Sequence, residues 1–370
     1  MLRTILIDVV PPRTDPSVAE RRLLELESLT QTFGGMVVVK LLQKKDVPNY
    51  RTYIGPGKIE ELIRLATEER ATLIVVNNLL KPRQMYELNE KLRLHKLQAW
   101  DRVDLILKIF QQHAKTVEAK LQIKLAAIDH MGPRIFGMGM EMMQQVGGVG
   151  VRGGQGETNT ELMKRHLTKE EEHIKKELDK ISRTRKLHRD RRDRLGLNTV
   201  SIVGYTNAGK SSLLNALTRK GAYVANALFA TLDTRVGKIL LPSSGDAGSP
   251  FIPVLASDTI GFIQDLPPQL IQAFRSTLDE TIDADLLLHV IDASDPYMSQ
   301  KIIEVEQVLE QLGLKEAPSL YVFNKIDRVK RLAKASLLKT YKKKTPVFVS
   351  AMKGDGLEEL KQMIGKRLGV

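Results

Sequence analysis

Residues Gly204-Tyr205-Thr206-Asn207-Ala208-Gly209-Lys210-Ser211 set two glycines, a lysine and a hydroxyl at the spacing G-x-x-x-x-G-K-S. A strand-like run at 198–203 leads into them, and Ser211-Ser212-Leu213-Leu214 opens a helical stretch. Glycine at 204 and 209 lets the backbone curl around an anion, while loop amides and a helix N-terminus point at it. Lys210 is placed to reach the β- and γ-phosphates of a nucleotide, and Ser211 to ligate Mg2+. Residues 204–212 are therefore expected to cradle nucleotide phosphates.

Such a loop does not choose between ATP and GTP. Asn324-Lys325-Ile326-Asp327, behind the apolar run Leu320–Phe323, favours guanine. The Asp327 carboxylate can accept hydrogen bonds from guanine N1–H and the exocyclic amine. Adenine lacks both donors and would leave the carboxylate unpaired, which is heavily penalised. Asn324 and Lys325 are expected to buttress the base and the phosphate loop. Ser350-Ala351, at the end of the strand Pro346–Val349, is expected to offer a backbone N–H to guanine O6.

Sensors of the γ-phosphate belong between these segments. Asp258-Thr259-Ile260-Gly261 follows the strand Phe251–Ala256, so Asp258 is expected to hold Mg2+ through water and the Gly261 amide to bond the γ-phosphate. In Ala230-Thr231-Leu232-Asp233-Thr234, Thr231 is the residue chosen to bring a hydroxyl to Mg2+, with Thr234 as its rival. Lys210, Thr231 and Gly261 form the expected catalytic set. Loss of the γ-phosphate would release both loops. Gly261 is followed by Phe262, where Ras-like enzymes carry a glutamine that orients the attacking water. Phenylalanine cannot do this, so intrinsic hydrolysis should be slow and need help. One candidate is a monovalent cation such as K+ held with Asn207; another is a partner macromolecule. An asparagine there also has a local use in turns.

The elements that must hold these residues follow from periodicity. Over 1–100, strands alternate with helices: Thr4–Val10, Ser17–Phe33, Met36–Leu42, Lys58–Arg70, Thr72–Val76, Lys81–Leu94 and Leu97–Trp100. That alternation predicts a small α/β unit with a mostly parallel sheet. Gly55-Pro56-Gly57-Lys58 lacks phosphate-loop spacing and reads as the start of a helix. Val103, Leu107, Phe110, Ala114, Val117, Leu121 and Ile128 recur at three and four residues, predicting one long amphipathic helix over 101–129. A second stripe of Met163, Leu167, Ile174, Leu178 and Ile181 predicts another over 158–193, and the two read as an antiparallel hairpin.

Met131–Gly156, between them, is dense in glycine and methionine and carries Arg134 and Arg152. Glycine at this density supports neither helix nor strand. A flexible, methionine-rich, cationic segment suits an RNA partner, against the plainer reading of a connector. The basic run 183–194 adds a surface for phosphate, although such runs are usually solvated helix faces. The expected division is 1–100, an N-terminal α/β subdomain; 101–196, a helical hairpin with its tip at 131–156; and 197–370, a phosphate-loop GTPase domain.

The chain of 370 residues carries a net charge of +13 with pI about 9.6, a balance that favours a polyanionic partner. It has no cysteine, which excludes disulfides, cysteine-ligated zinc, iron–sulfur clusters and thiol catalysis. The first residues lack the apolar core of a signal peptide, and no long uncharged apolar run suggests a membrane span. A cytoplasmic monomer is the expectation.

The sequence resembles the HflX family of translational GTPases. The runs GYTNAGKSSLLNAL, LFATLD, DTIGF, NKID and SA carry the match in the C-terminal half; RTYIGPGKIEEL, LILKIFQQHAKTVEAKLQIKLA and GGVGVRGGQGETNTE carry it upstream. The resemblance implies an N-terminal domain ending in a helical hairpin, joined to a Ras-like domain. It implies binding to the large ribosomal subunit, with the glycine-rich loop near the peptidyl-transferase centre, and GTP-driven splitting or rescue of stalled ribosomes. A switch acting on a protein effector, or a ribosome-assembly GTPase, are the alternatives. Some members are also described as binding adenine nucleotides through the N-terminal domain. Where the family usually has Pro-Thr after the LFATLD run, Thr234-Arg235 stand instead, a departure that bears on the first switch. The sequence ends at Val370, after the run 357–368, so contacts made by an additional C-terminal domain in some members are not expected.

Overall fold

The structure is a computed structural model that describes residues 2–130, 159–194, 196–218, 235–242, 251–259, 261–263, 282–329 and 334–370. Contacts divide the chain into two compact units, Met1–Gln112 with Lys120–Leu178, and His113–Ala119 with Asp179–Val370.

In the first unit, β1 (Leu2–Val10), β2 (Gly35–Lys44), β3 (Leu73–Val76) and β4 (Gln98–Asp101) form a wholly parallel sheet in the order β2-β1-β3-β4. Helices α1 (Pro16–Phe33), α2 (Pro56–Glu68) and α3 (Pro82–Arg93) connect the strands. Proline opens each helix at a position whose N–H has no intrahelical partner. Asp15 caps α1 by accepting the Ser17 N–H at 2.8 Å. Gly55 and Pro56 start α2, as the sequence predicts, and Lys58 pairs with Glu61 at 2.6 Å. The buried core joins Ile5 and Ile7 of β1 and Ile74 and Val76 of β3 to Leu62 of α2 and Leu88 of α3.

The long helix expected over 101–129 is interrupted. Helix α4 (Arg102–His113) ends, and a second helix, α5, runs from 117 to 130. The Thr116 hydroxyl accepts the Ala119 N–H at 3.2 Å and so caps a new helix start. The apolar stripe fails at the same place, since Val117 is 70% exposed. Helix α6 (Asn159–Arg194) keeps a narrow stripe, with Ile174 buried and Leu167, Leu178 and Ile181 partly covered. Lys124 of α5 pairs with Glu170 of α6 at 2.5 Å in the first unit, and Glu118 with Arg185 at 2.6 Å in the second.

The second unit is built on a sheet ordered β10-β9-β8-β5-β7-β6. Its strands are β5 (Thr199–Gly204), β6 (Arg235–Leu241), β7 (Ile252–Asp258), β8 (Leu286–Asp292), β9 (Ser319–Asn324) and β10 (Val347–Phe348). All neighbours are parallel except the edge pair β6–β7. Helix α7 (Lys210–Thr218) buries Leu213, Leu214 and Leu217 against one face, together with Leu360 and Ile364 of α10 (Leu357–Leu368). Each such leucine or isoleucine contributes about 1.5–3 kcal/mol. The other face packs against α8 (Met298–Gln311) and α9 (Lys334–Thr340). No helix among the described residues is long and apolar enough to cross a membrane.

Candidate nucleotide site

β5 lies between β7 and β8, and its C-terminal end delivers the loop 204–209 to the start of α7. Gly209 has φ +94, and a side chain there would run into the Asn324 amide nitrogen at 2.3 Å. Lys210 is buried, its Nζ donating to the Gly204 and Tyr205 carbonyls at 3.1 and 2.9 Å. Burial pushes the Lys210 ammonium down to about 8, opposed by the Asp258 carboxylate and reinforced by Lys325.

Ser211 Oγ donates to Asp258 Oδ2 at 2.6 Å, which sets a hydroxyl and a carboxylate side by side at the first turn of α7. Two hard oxygen donors next to a phosphate loop fit Mg2+. Ser212 follows in the same turn, partly exposed. Past β7, Thr259 donates to the Ile202 carbonyl at 2.8 Å, fixing the loop that leads to Gly261. The Thr206 N–H donates to the Phe262 carbonyl at 2.7 Å and the Phe262 N–H to the Gly204 carbonyl at 3.1 Å. A Cβ at Gly261 would stand 2.7 Å from Lys210 Nζ and 2.8 Å from Thr206 Cα, so only glycine fits. Thr231 and Thr234 lie outside the described residues.

The segment 324–327 meets the phosphate loop directly. Asn324 Nδ2 donates to the Ala208 carbonyl at 3.0 Å, and its Oδ1 accepts the Ala351 N–H at 3.0 Å. Lys325 Nζ donates to the Asn207 carbonyl at 2.6 Å and to Asp292 Oδ2 at 2.7 Å. Ser350 donates its hydroxyl to Asp327 Oδ1 at 2.6 Å, and that bond holds the Asp327 carboxyl below its usual range. Asp327 itself is exposed. Of the backbone N–H groups of Ser350-Ala351, one of which was expected to face guanine O6, that of Ser350 donates to the Asp355 carbonyl at 2.9 Å and that of Ala351 to Asn324. Asn207 is exposed with φ 61, a left-handed conformation asparagine tolerates.

Three residues of this arrangement were not anticipated from sequence. Asp292, at the end of β8, anchors Lys325. Thr259 ties its loop to β5. Lys301 of α8 sits 4.6 Å from the Tyr205 ring centroid and pairs with Asp295. Thr259 stood in the run 258–261 without a role of its own, and Asp292 left a trace as an acidic residue closing the largely apolar run Leu286–Ile291.

Three family models match the chain. "GTP-binding GTPase N-terminal" covers residues 20–111, "GTP-binding GTPase Middle Region" 113–192, and "50S ribosome-binding GTPase" 199–325. With the loop on the central strand, they define the class as a P-loop GTPase, a hydrolase of GTP. A GTPase HflX from Caldanaerobacter subterraneus subsp. tengcongensis is 40% identical over 99% of this chain and 80% of its own length. The GTPase HflX of Escherichia coli is 37% identical over 94% of this chain and 79% of its own, and that of Methanocaldococcus jannaschii 34% over 97% and 86%. The chain belongs to the HflX family of GTPases.

Among solved structures, the complex of SsGBP with GDP aligns at TM-score 0.53 and 25% identity, over 100% of this chain and 99% of that one. A GTP-binding protein from Sulfolobus solfataricus in complex with GDP aligns at TM-score 0.51 and 23% identity, over 100% and 99%, and shares the fold.

Proposed function

We propose that this GTPase binds the large ribosomal subunit and uses its GTP cycle to split or rescue stalled ribosomes. The nucleotide lies between the loop 204–212 and Asn324, Lys325 and Asp327. The observation that supports the nucleotide part of this reading is the direct bonding of Asn324 and Lys325 to the loop, which joins the segments that follow the C-terminal ends of β5 and β9. Lys210 holds the β- and γ-phosphates, Gly261 senses the γ-phosphate, and Asp327 reads the base with help from the loop 350–351. Ser211 and Asp258 would hold Mg2+, which when bound neutralises developing phosphate charge. Thr231 would complete that shell. K+ beside Asn207 is the proposed aid to hydrolysis, and replacing K+ by Na+ should slow turnover without changing GDP affinity.

The net charge of +13 and the family described as ribosome-binding support an RNA partner. In this reading 101–196 forms an antiparallel hairpin whose tip, 131–156, contacts ribosomal RNA; those tip residues lie outside the described ones. Within the basic run 183–194, Arg183 pairs with Asp179 and is mostly exposed, whereas Arg185 is committed to Glu118. Arg183 is the better phosphate contact.

The test is a sedimentation profile with a non-hydrolysable GTP analogue. Co-migration with mature large subunits supports the reading. Binding only to immature subunits would favour ribosome assembly, and no ribosomal binding would favour a protein effector. Deleting 147–156 should leave nucleotide affinity intact and abolish subunit-stimulated hydrolysis.

A further inference from the structure

A phenylalanine stands where a water-orienting glutamine would serve, and the structure closes that position further. Phe262 is 2% exposed, packs with Val203, Tyr205 and Leu287, and is bonded through its backbone to Gly204 and Thr206. Its side chain cannot be recruited to water beside a phosphate.

Thr206 occupies the adjacent space. It is 5% exposed, and its Oγ1 is buried with no hydrogen-bond partner among the described residues. An orphaned buried hydroxyl is expensive. Valine would fill the same shape without that cost, so packing alone does not call for threonine here. Thr206 Cα and Cγ2 lie 2.8 Å, and Lys210 Nζ 2.7 Å, from one point, the place of a Cβ on Gly261. Thr206 therefore shares a small volume with the two groups assigned to the γ-phosphate. The inference rests on that assignment.

We propose that the Thr206 hydroxyl is a catalytic residue of GTP hydrolysis that takes the place of the missing glutamine. It accepts a hydrogen bond from the attacking water and donates its own hydrogen to a γ-phosphoryl oxygen, holding the water in line. The water oxygen bonds to the γ-phosphorus as the bond to the β-phosphate oxygen breaks. The electron pair leaves on GDP, the proton of the water passes to the released phosphate, and Thr206 ends as it began.

The experiment compares Thr206→Val with Thr206→Ser in the full chain, by single-turnover GTP hydrolysis at saturating GTP and by calorimetric GDP titration. Thr206→Val should slow hydrolysis by roughly 10- to 100-fold with GDP affinity within about twofold, whereas Thr206→Ser, which keeps the hydroxyl, should stay within about threefold in rate. Hydrolysis at the parent rate in the valine variant would overturn the proposal. So would equal losses in both variants, or a valine variant losing GDP affinity along with rate, since the side chain would then only support the loop. A parent chain that binds no GTP would instead defeat the nucleotide assignment.

Discussion

Asn324 donates its amide to the carbonyl of Ala208 at 3.0 Å and accepts the Ala351 N–H at the same distance. One side chain thus joins the phosphate loop, the 324–327 segment and the 350–351 loop. Asn324 is 2% exposed and so is Ala208, so neither bond is readily replaced by water. Asn324→Ala leaves a buried carbonyl unpaired, at about 1–3 kcal/mol. We expect GDP affinity to fall roughly tenfold or more and the nucleotide-free melting temperature to drop by several degrees. Calorimetry and a thermal melt check both; an unchanged affinity would show that the loops are held together by other bonds.

Asp327 is poised rather than free. The Ser350 hydroxyl holds one carboxylate oxygen at 2.6 Å, which keeps the group ionised and oriented. In the proposed binding mode, Asp327→Asn replaces an acceptor by a donor facing two guanine donors. Two charge-assisted bonds at about 1.5 kcal/mol or more each predict a loss of about 100-fold or more in GTP affinity. Xanthosine nucleotides, which present an acceptor at position 2, should be favoured instead. Ser350→Ala should weaken GDP binding by about tenfold or less, as befits one orienting bond. Guanine selectivity retained by Asp327→Asn would move base recognition to another residue.

The candidate site was legible in the sequence where its proposed chemistry uses contiguous residues. A loop around phosphate needs Gly204, Gly209, Lys210 and Ser211 in one stretch, and the segment 324–327 likewise acts as a unit. Asp292 was not legible in its role. It serves because β8 and β9 run parallel with Asp292 opposite Asn324, a register set by the sheet and not by neighbours in the chain. The break at 114–116 was hidden because the apolar period runs through it, and only the threonine cap and the exposure of Val117 disclose a new start. The parallel strands of the first unit were plain, since each is a short apolar run bounded by helix signals. The strand Arg235–Leu241 was missed although Ile239 and Leu241 are buried and Val236 and Leu240 are about half exposed, the alternation of an edge strand.

If Lys210 holds the phosphates as proposed, nucleotide binding depends on pH. Burial lowers its ammonium to about 8, and a bound phosphate favours the charged form. Affinity is therefore whole below about pH 8 and is lost as pH rises through it. Binding at pH 9 should take up a proton, measured by calorimetry in two buffers of different ionisation enthalpy. Affinity that stays level from pH 7 to 9.5, with no proton uptake, would show that Lys210 remains charged throughout.

His289 gives the second unit a weakness to acid. It lies on β8 at 2% exposure, edge-on to Tyr321 with ring centroids 4.8 Å apart, and its Nδ1 has no hydrogen-bond partner among the described residues. Burial first, then the positive charges of Lys344 and Lys210, push its pKa down to about 3. In the unfolded chain it returns to about 6.5. Between these values the unfolded chain binds a proton that the folded chain refuses. The contribution is therefore complete above about pH 6.5 and falls as the pH drops below it. From pH 7 to 5 the loss from this group is about 2 kcal/mol. Urea unfolding at both pH values, run beside His289→Leu, separates it from the carboxylates. The parent should lose more stability than the variant over that interval, by about that amount. Equal losses would mean that another group carries the acid sensitivity.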